Sequence, residues 1–509
     1  MTTPAVANPV VPRIYRGLNR RERAGWIAGL TVGQAGACLM LAAPVLMSIS
    51  AGRWRTGLGA AAAGGLVAAV LVVPVRGRPA VRWLTHLILH RVGVAMGWST
   101  WRSRAAAGNP GPDHLPDLPG SLARVQFPDG PAFRTQGRIC LIHDTGEGRW
   151  GATARLTHTG VGMLSQAECD RLAARLGNLL LSVGHRDVVD RVSLLVRTVP
   201  DDGTEHQVWR AAHLAAAPPA LAVQACAELD AAIGSVAVRH ELFLSVSGTE
   251  TALRRPAAAA GGGVTGRAHA LYRVLDGIED AVKALNVRTV SWLSGPQLAA
   301  AIRTGFNPGH AAALEHAALT GTAGGGWPMS LAGPVHAPSP PARSYIHDGY
   351  TSVSYSVLMP EAGTVFGSLA PLLAVKTAGE RRCVAIHYEV LGAAGSSRAV
   401  RANRFRSTVV TDYKAGKGFS TSAADQREAG GARAQEHAVA AGHAMVRYAA
   451  VAAVTVPSNW NVEDHAVRLE NDAAGRFRLL RLELAQDSAF VAACLPLGIG
   501  LPRTSGSLR

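Results

Sequence analysis

Lysine is almost missing from this chain: 509 residues hold four (Lys283, Lys376, Lys414, Lys417) against 47 arginines. Beside 56 glycines and abundant alanine, that reads as the codon bias of a GC-rich genome and says little about function. Cysteine is sparse and scattered, at Cys38, Cys140, Cys169, Cys226, Cys383 and Cys494, with no Cys-x-x-Cys pair. Such spacing argues against a disulfide framework and against a thiolate-held metal. Acidic side chains are missing from one end: up to Arg104 there are thirteen arginines and one acid, Glu22, a net +12. The other 405 residues carry 38 basic and 34 acidic side chains, a net +4. Most of the overall +16 therefore flanks apolar segments. That favours a membrane collar over a nucleic-acid patch, and no direct nucleic-acid binding is expected. After Val75 no apolar run is long enough to span a bilayer.

Signatures of common chemistry are missing too. No Gly-x-x-x-x-Gly-Lys-Ser/Thr loop occurs; the nearest string, Ala415-Gly416-Lys417-Gly418-Phe419-Ser420, lacks the upstream glycine and the Lys-Ser/Thr adjacency. His-Glu-x-x-His, Gly-x-Gly-x-x-Gly and Gly-x-Ser-x-Gly are absent. His437 and His443 stand six apart on a predicted helix, on roughly opposite faces, and cannot chelate as an i,i+4 pair. His143-Asp144 reads as a turn cap at a strand end, and His387 with Glu389 as the solvated face or inter-domain contact of a strand. No catalytic, cofactor-binding or metal-ligating residue is expected, and no cofactor.

What is present begins with two uncharged stretches, Gly25 to Ser50 and Gly57 to Val75. A spanning helix needs about 20 residues, so both qualify, the second barely. Arg13, Arg16, Arg20, Arg21 and Arg23 precede them, Arg76, Arg78, Arg82 and Arg91 follow, and only Arg53 and Arg55 lie between. The positive-inside rule then puts both flanks in the cytoplasm. The apolar length exceeds a signal-peptide core of about 7–15 residues. Pro79 to Trp101 mixes arginine with Trp83, Leu84, Leu87, Ile88, Val92, Trp98 and Trp101, the composition of an interfacial helix.

Beyond Asn109–Gly120, a Pro/Gly/Asp linker, strands and helices alternate. Strands are predicted at 138–143, 150–157, 192–199, 241–246, 287–293, 351–359, 384–390 and 478–484. Helices are predicted at 165–183, where Ser165 and Glu168 form a capping box, and at 222–233, 265–285, 424–454 and 462–474. Thr351, Val353, Tyr355, Val357 and Met359 alternate with Ser352, Ser354 and Ser356, which predicts one core face and one wet face. The expected fold class is a membrane-anchored α+β protein. Residues 1–24 are a basic cytoplasmic tail, 25–75 a transmembrane helical hairpin (helices 25–50 and 57–75) and 76–108 a juxtamembrane interfacial helix. Residues 109–304 are a cytoplasmic α+β domain, 305–343 a Gly/Pro/Ala-rich linker, 344–502 a second cytoplasmic α+β domain and 503–509 a tail.

Several strings taken together are distinctive: Cys140-Leu-Ile-His143-Asp, Arg197-Thr-Val-Pro200-Asp-Asp-Gly203, Asp348-Gly-Tyr350, His387-Tyr-Glu-Val-Leu-Gly392, Ala434-Gln-Glu-His-Ala438 with Ala441-Gly-His443, and Leu495-Pro-Leu-Gly-Ile-Gly-Leu-Pro502. Over nearly its whole length the chain resembles a family of actinobacterial membrane proteins found in conjugative and type IV secretion-like gene sets. The resemblance implies an N-terminus similar to the small two-helix, PrgI-like secretion subunit. It implies a body similar to the non-catalytic N-terminal half of the secretion assembly ATPase, with the motor a separate protein. The expected partners are the lipid bilayer, that ATPase, other membrane subunits of the machine and further copies of the chain. The expected place is the plasma membrane, multi-pass, with both termini cytoplasmic. The rival readings are the core membrane subunit of a type VII secretion system, which also has two N-terminal helices, and a membrane-tethered enzyme with an unrecognised site.

Overall fold

The computed structural model describes residues 32–72, 74–75, 78–162, 164–185, 188–200, 203–233, 238–321, 326–360, 363–392, 395–401 and 423–500. Three helices come first: α1 (Val32–Ser50), α2 (Trp54–Val72) and α3 (Ala80–Ala95). The body then opens with strands β1 (Val125–Gln126), β2 (Asp129–Ala132), β3 (Arg138–Asp144) and β4 (Arg149–His158). Helix α4 (Gln166–Gly184) leads to β5 (Arg191–Pro200), and α5 (Thr204–His213) and α6 (Ala220–Ile233) lead to β6 (Val238–Thr249). Helices α7 (Glu250–Ala259) and α8 (Gly263–Lys283) lead to β7 (Val287–Trp292), followed by α9 (Gly295–Phe306) and α10 (Ala311–Thr320). The remainder is β8 (Tyr345–His347), β9 (Tyr350–Leu358), β10 (Arg381–Leu391), α11 (Ala423–Ala440), β11 (Met445–Pro457), α12 (Val462–Ala473), β12 (Arg478–Arg481) and α13 (Gln486–Cys494).

Among the described residues these twelve strands join one mixed-length sheet, in the order β8-β9-β11-β10-β5-β6-β4-β3-β1, with β7 also on β4, β12 on β9 and β2 on β3; two short strand pairs lie outside it. Every pairing is antiparallel. Inside that order lies an internal repetition. The segment β4-α4-β5-β6-α8-β7 pairs as β7-β4-β6-β5, and β9-β10-β11-α12-β12 pairs as β12-β9-β11-β10. Both follow the split β-α-β scheme, in which each crossover returns to the sheet one strand away. The second copy has a 3-10 turn, Ala370–Leu373, where the first has α4. The two copies meet edge to edge where β5 pairs with β10, from Cys383↔Arg197 to Glu389↔Arg191. Residues 305–343 therefore do not divide two sheets, and α10 lies inside them. The second copy completes its half by hydrogen bonding to the first, because an unpaired β5 edge would leave a row of backbone groups open.

Both faces of the sheet are covered. Helices α4, α7 and α8 pack on one face of the first copy, and α12 on the same face of the second. Helices α9 and α13 cover the opposite face across the seam. This overturns the expectation of a wet serine face on β9. Ser352 and Ser354 are fully buried under α13, where Gln486 donates to the Ser354 carbonyl and accepts from its amide. The Ser352 hydroxyl bonds His347 and Thr455 on the neighbouring strands, while α13 bonds the Ser354 backbone.

The capping box at Ser165 and Glu168 stands as read. The helix expected over 424–454 does not. It ends at Ala440, Gly442 turns with a positive φ of 91°, and β11 begins at Met445. Alanine suits either element, whereas Val446, Val451, Val454, Thr455 and Val456 are β-branched, and β11 hydrogen-bonds to β9 and β10 on its two sides. The segment 76–108 also divides. Helix α3 exposes Ile88 and Leu89, but Trp101 donates from Nε1 to the Pro334 carbonyl and Trp101–Arg102 pairs with His336–Ala337. The end of the supposed interfacial segment belongs to the body. The linker at 109–120 is closed by Asp117, which accepts from the Arg104 amide and its Nε.

Among the described residues one helix is long and apolar enough to cross a membrane, Trp54–Leu71 within α2. The first apolar stretch, 25–50, begins outside the described residues, and its described part holds the shorter apolar helix Gly36–Ser50. Helix α2 lies against α1, with Gly64 beside the Leu41 carbonyl.

Candidate functional site

The seam between the two sheet copies concentrates the buried polar side chains. On the face below α9 and α13 the strands present small or polar residues: Thr153 on β4, Ser245 on β6, Ser193 and Arg197 on β5, His387 on β10, Thr455 on β11 and Ser352 on β9. Their partners are close at hand. His387 joins Ser193 Oγ through Nδ1 (2.9 Å) and the Ala492 carbonyl through Nε2 (3.0 Å). Thr153 Oγ1 meets Ser245 Oγ (2.7 Å) and donates to the Pro496 carbonyl (2.7 Å). His347 reaches the Phe306 carbonyl (2.6 Å) and Ser352 Oγ (2.8 Å), which in turn meets Thr455 Oγ1 (2.7 Å). Arg197 is wholly buried, pairs with Glu241 (2.6 Å), and donates to the Ala301 carbonyl (2.9 Å). The polar face is thus consumed in fastening α9, α13 and the segment 495–497 to the sheet.

Burial sets the protonation of these groups. It pushes His387 down to about 4, with Arg191 adding to the effect, and His347 down to about 3, with Arg381 and Arg303 adding. Both imidazoles are neutral at ordinary pH. Burial raises the Cys383 and Cys494 thiols, but a hydrogen bond from Cys494 and the Arg381 and Arg197 guanidiniums bring Cys383 down to about 7. That thiol is buried (1% exposed) behind α13, so a low value does not make it a nucleophile for an outside substrate.

The residues singled out by sequence fall apart as a catalytic set. His387 is buried, not solvated, because α13 covers its strand face; Glu389 on the same face pairs with Arg447 (3.1 Å). His143 stacks on Trp150 (3.9 Å between rings), 3.6 Å from Glu250, and burial lowers its pKa. Asp144, not His143, is the turn cap, accepting from the Gly146 and Glu147 amides. His437 lies in the last turn of α11 and His443 beyond its end. The Ala415–Ser420 string lies outside the described residues. Among the described residues no group of three or more His, Cys, Asp or Glu side chains is placed to hold a metal.

Sequence reasoning missed His347, Gln486 and the Arg303–Asp348 pair (2.6 Å, both 3% exposed). The one available signal was Asp348-Gly-Tyr350. Asp348 adopts a left-handed φ of 45° and accepts from the Val335 and His336 amides, which makes this string a structural corner. The Arg197 and His387 strings likewise sit in β5 and β10 at the seam. Apolar surface is left exposed on α1, α2 and α3, and also on α5 and α6 at Trp209, Leu221 and Leu229. Leu39, Met40, Leu46 and Met47 on α1 and Leu58 and Leu66 on α2 are each at least two-thirds exposed. A patch of that kind calls for an apolar partner. Neither a family model nor a curated protein matches the chain.

Proposed function

We propose that this chain is a non-catalytic, membrane-anchored structural subunit of a conjugation or type IV secretion-like translocation machine, which docks a separately encoded ATPase at the inner face of the plasma membrane. The observation that carries the reading is the contrast between two surfaces. Helices α1 and α2 present apolar side chains outward, the opposite of a soluble core, while His387, His347 and Arg197 of the body are buried in contacts between layers. In this reading α1 and α2 cross the bilayer as a hairpin. The arginines on either side hold both ends in the cytoplasm, and α3 lies at the membrane surface.

The docking role draws on the resemblance to conjugative membrane proteins and on the paired-copy sheet, a large rigid platform. The test is affinity purification of the full chain from membranes solubilised in mild detergent. The expected result is retention in the membrane pellet through an alkaline carbonate wash, and co-purification of a P-loop ATPase encoded beside it. Release by the wash would refute the anchor. Retention without any ATPase would refute the docking role and leave the anchor standing.

A further inference from the structure

No carboxylate side chain occurs between Glu22 and Asp113. The stretch from Arg76 to Arg104 lies wholly inside that gap and carries six arginines: Arg76, Arg78, Arg82, Arg91, Arg102 and Arg104. Two of them are used locally. Arg104 pairs with Asp117 (3.1 Å), and Arg102 donates to the Ala106 carbonyl (2.8 Å). Arg91, on α3, is exposed and makes no ion pair among the described residues.

Backbone pairing fixes where α3 starts and ends. Pro74–Val75 pairs with Arg78–Pro79, with Pro74 opposite Pro79, so α3 begins beside the end of α2. Past its other end, the Ser99 hydroxyl donates to Ser339 Oγ (2.9 Å), and Trp101–Arg102 pairs with His336–Ala337. Helix α3 is thus tied at one end to a membrane helix and at the other to the body. Its two sides differ. Gly93 is buried, and Trp83, Leu87 and His90 are partly covered. Leu84, Ile88 and Val92, four residues apart, form an exposed apolar stripe with Leu89 beside it. Arg91 borders the stripe, three residues on from Ile88 and seven from Leu84.

An apolar stripe edged by arginine, in a stretch with no acid, has the composition of a helix lying in a lipid interface. Apolar side chains enter the acyl boundary while the guanidiniums stay among the headgroups. The complement of such a face is apolar and negatively charged at once, and a leaflet of anionic phospholipid is both. In the membrane-anchor reading that leaflet already surrounds the end of α2 where α3 begins.

We propose that α3 is a binding surface for anionic phospholipid of the inner leaflet, with Arg91 on lipid phosphate and Leu84, Ile88 and Val92 among the acyl chains. This inference rests on the membrane-anchor reading and adds to it the class of lipid.

The test reconstitutes the full chain into vesicles of mixed phosphatidylglycerol and phosphatidylcholine, with bromine on the acyl chains of one lipid or the other. Brominated chains quench nearby tryptophan, and Trp83 and Trp98 bracket the helix. An arginine near an anionic surface is worth roughly five-fold in binding, so a preference for phosphatidylglycerol of at least about three-fold is expected. It should shrink towards unity between about 50 mM and about 500 mM NaCl, as exposed charges are screened. Arg91→Glu should cut the preference at least about two-fold. Arg288→Gln, at an exposed arginine of β7, should leave it unchanged. Arg91 is exposed, and an unchanged melting temperature checks that its substitution leaves the fold intact. Free glycerol phosphate in excess should not relieve the quenching. Equal quenching by the two lipids, a preference indifferent to Arg91→Glu, or an equal loss with Arg288→Gln would overturn the inference. So would relief by free glycerol phosphate, which would assign Arg91 to a soluble anion. A chain that resists an alkaline carbonate wash but shows no lipid preference sinks this inference alone, whereas a chain washed off the vesicles sinks the anchor and this inference with it.

Discussion

Lowering the pH from about 7.5 to about 4.5 is expected to weaken the fold through two buried imidazoles. His387 and His347 have an ordinary value of 6.5, lowered in the fold to about 4 and about 3. Their folded values lie below their unfolded ones, so the unfolded chain binds more protons between about pH 6.5 and about pH 4. Stability is present above that window and is lost as the pH falls into it. At about pH 4.5 each unfolded imidazole is two units below its pKa and gains about 2.7 kcal/mol from protonation. In the fold that gain is about 0.2 kcal/mol for His387 and close to nothing for His347, so together they remove about 5 kcal/mol. Depressed carboxylates such as Asp472, half-buried and held by Lys376 and Arg382, act in the same direction, but chiefly below their unfolded range. For a body of about 400 residues, an unfolding entropy of about 2.1 cal/mol/K per residue turns 5 kcal/mol into a melting shift of about 6 °C. The assay is a series of thermal melts of the full chain in detergent. The double variant His347→Gln, His387→Gln keeps amide hydrogen bonding and cannot titrate. It should lose less than half as many degrees over the same range, and the single His387→Gln should fall between. A variant whose melting temperature drops as far as the parent's would show that these imidazoles do not govern the acid limb.

Gly64→Leu should destabilise the helix pair in detergent, because a Cβ at residue 64 would meet the Leu41 carbonyl at 3.3 Å, whereas Gly65→Leu, where nothing lies within 4 Å, should be neutral. Equal melting temperatures for the two would place α1 and α2 apart. Gln486→Ala strands the buried Ser354 amide, while the Ser354 carbonyl keeps the Leu482 amide (3.1 Å), and should cost about 1–3 kcal/mol in denaturant unfolding. A cost below about 0.5 kcal/mol would mean that α13 is not fastened there.

Most elements of the body were readable because their signals are local. The Ser165–Glu168 box marks a helix start, and Val384, Ile386, Tyr388 and Val390 mark a strand face, all within a few residues. The segment 441–454 was misread because alanine fits either element, and only pairing with β9 and β10 decides between them. Ser354 was placed in water, and His387 in water or at an inter-domain contact, because alternation shows which residues share a face, not what covers it. Here the cover is α13, over a hundred residues further on. The repetition was illegible for a similar reason. It lies in the order of strand pairing, while the two copies differ in length, in helix count and in their connections.

The repetition also accounts for where the polar side chains of that face are used. A single antiparallel sheet with helices on one side often leaves its other face wet, and a wet face of Ser, Thr, His and Arg side chains is suitable ground for a site. In this chain the two copies extend the sheet side by side, and α9 and α13 close that face across the join. The polar groups on it then have to be satisfied from within, since an unpaired buried donor or acceptor costs about 1–3 kcal/mol. His387, Thr153 and Gln486 accordingly bond backbone groups of the covering layer or of the strands beneath it, not open space. Residues used in this way cannot also be offered to a substrate without opening the seam. What remains available for recognition includes the apolar surfaces of α1 and α2.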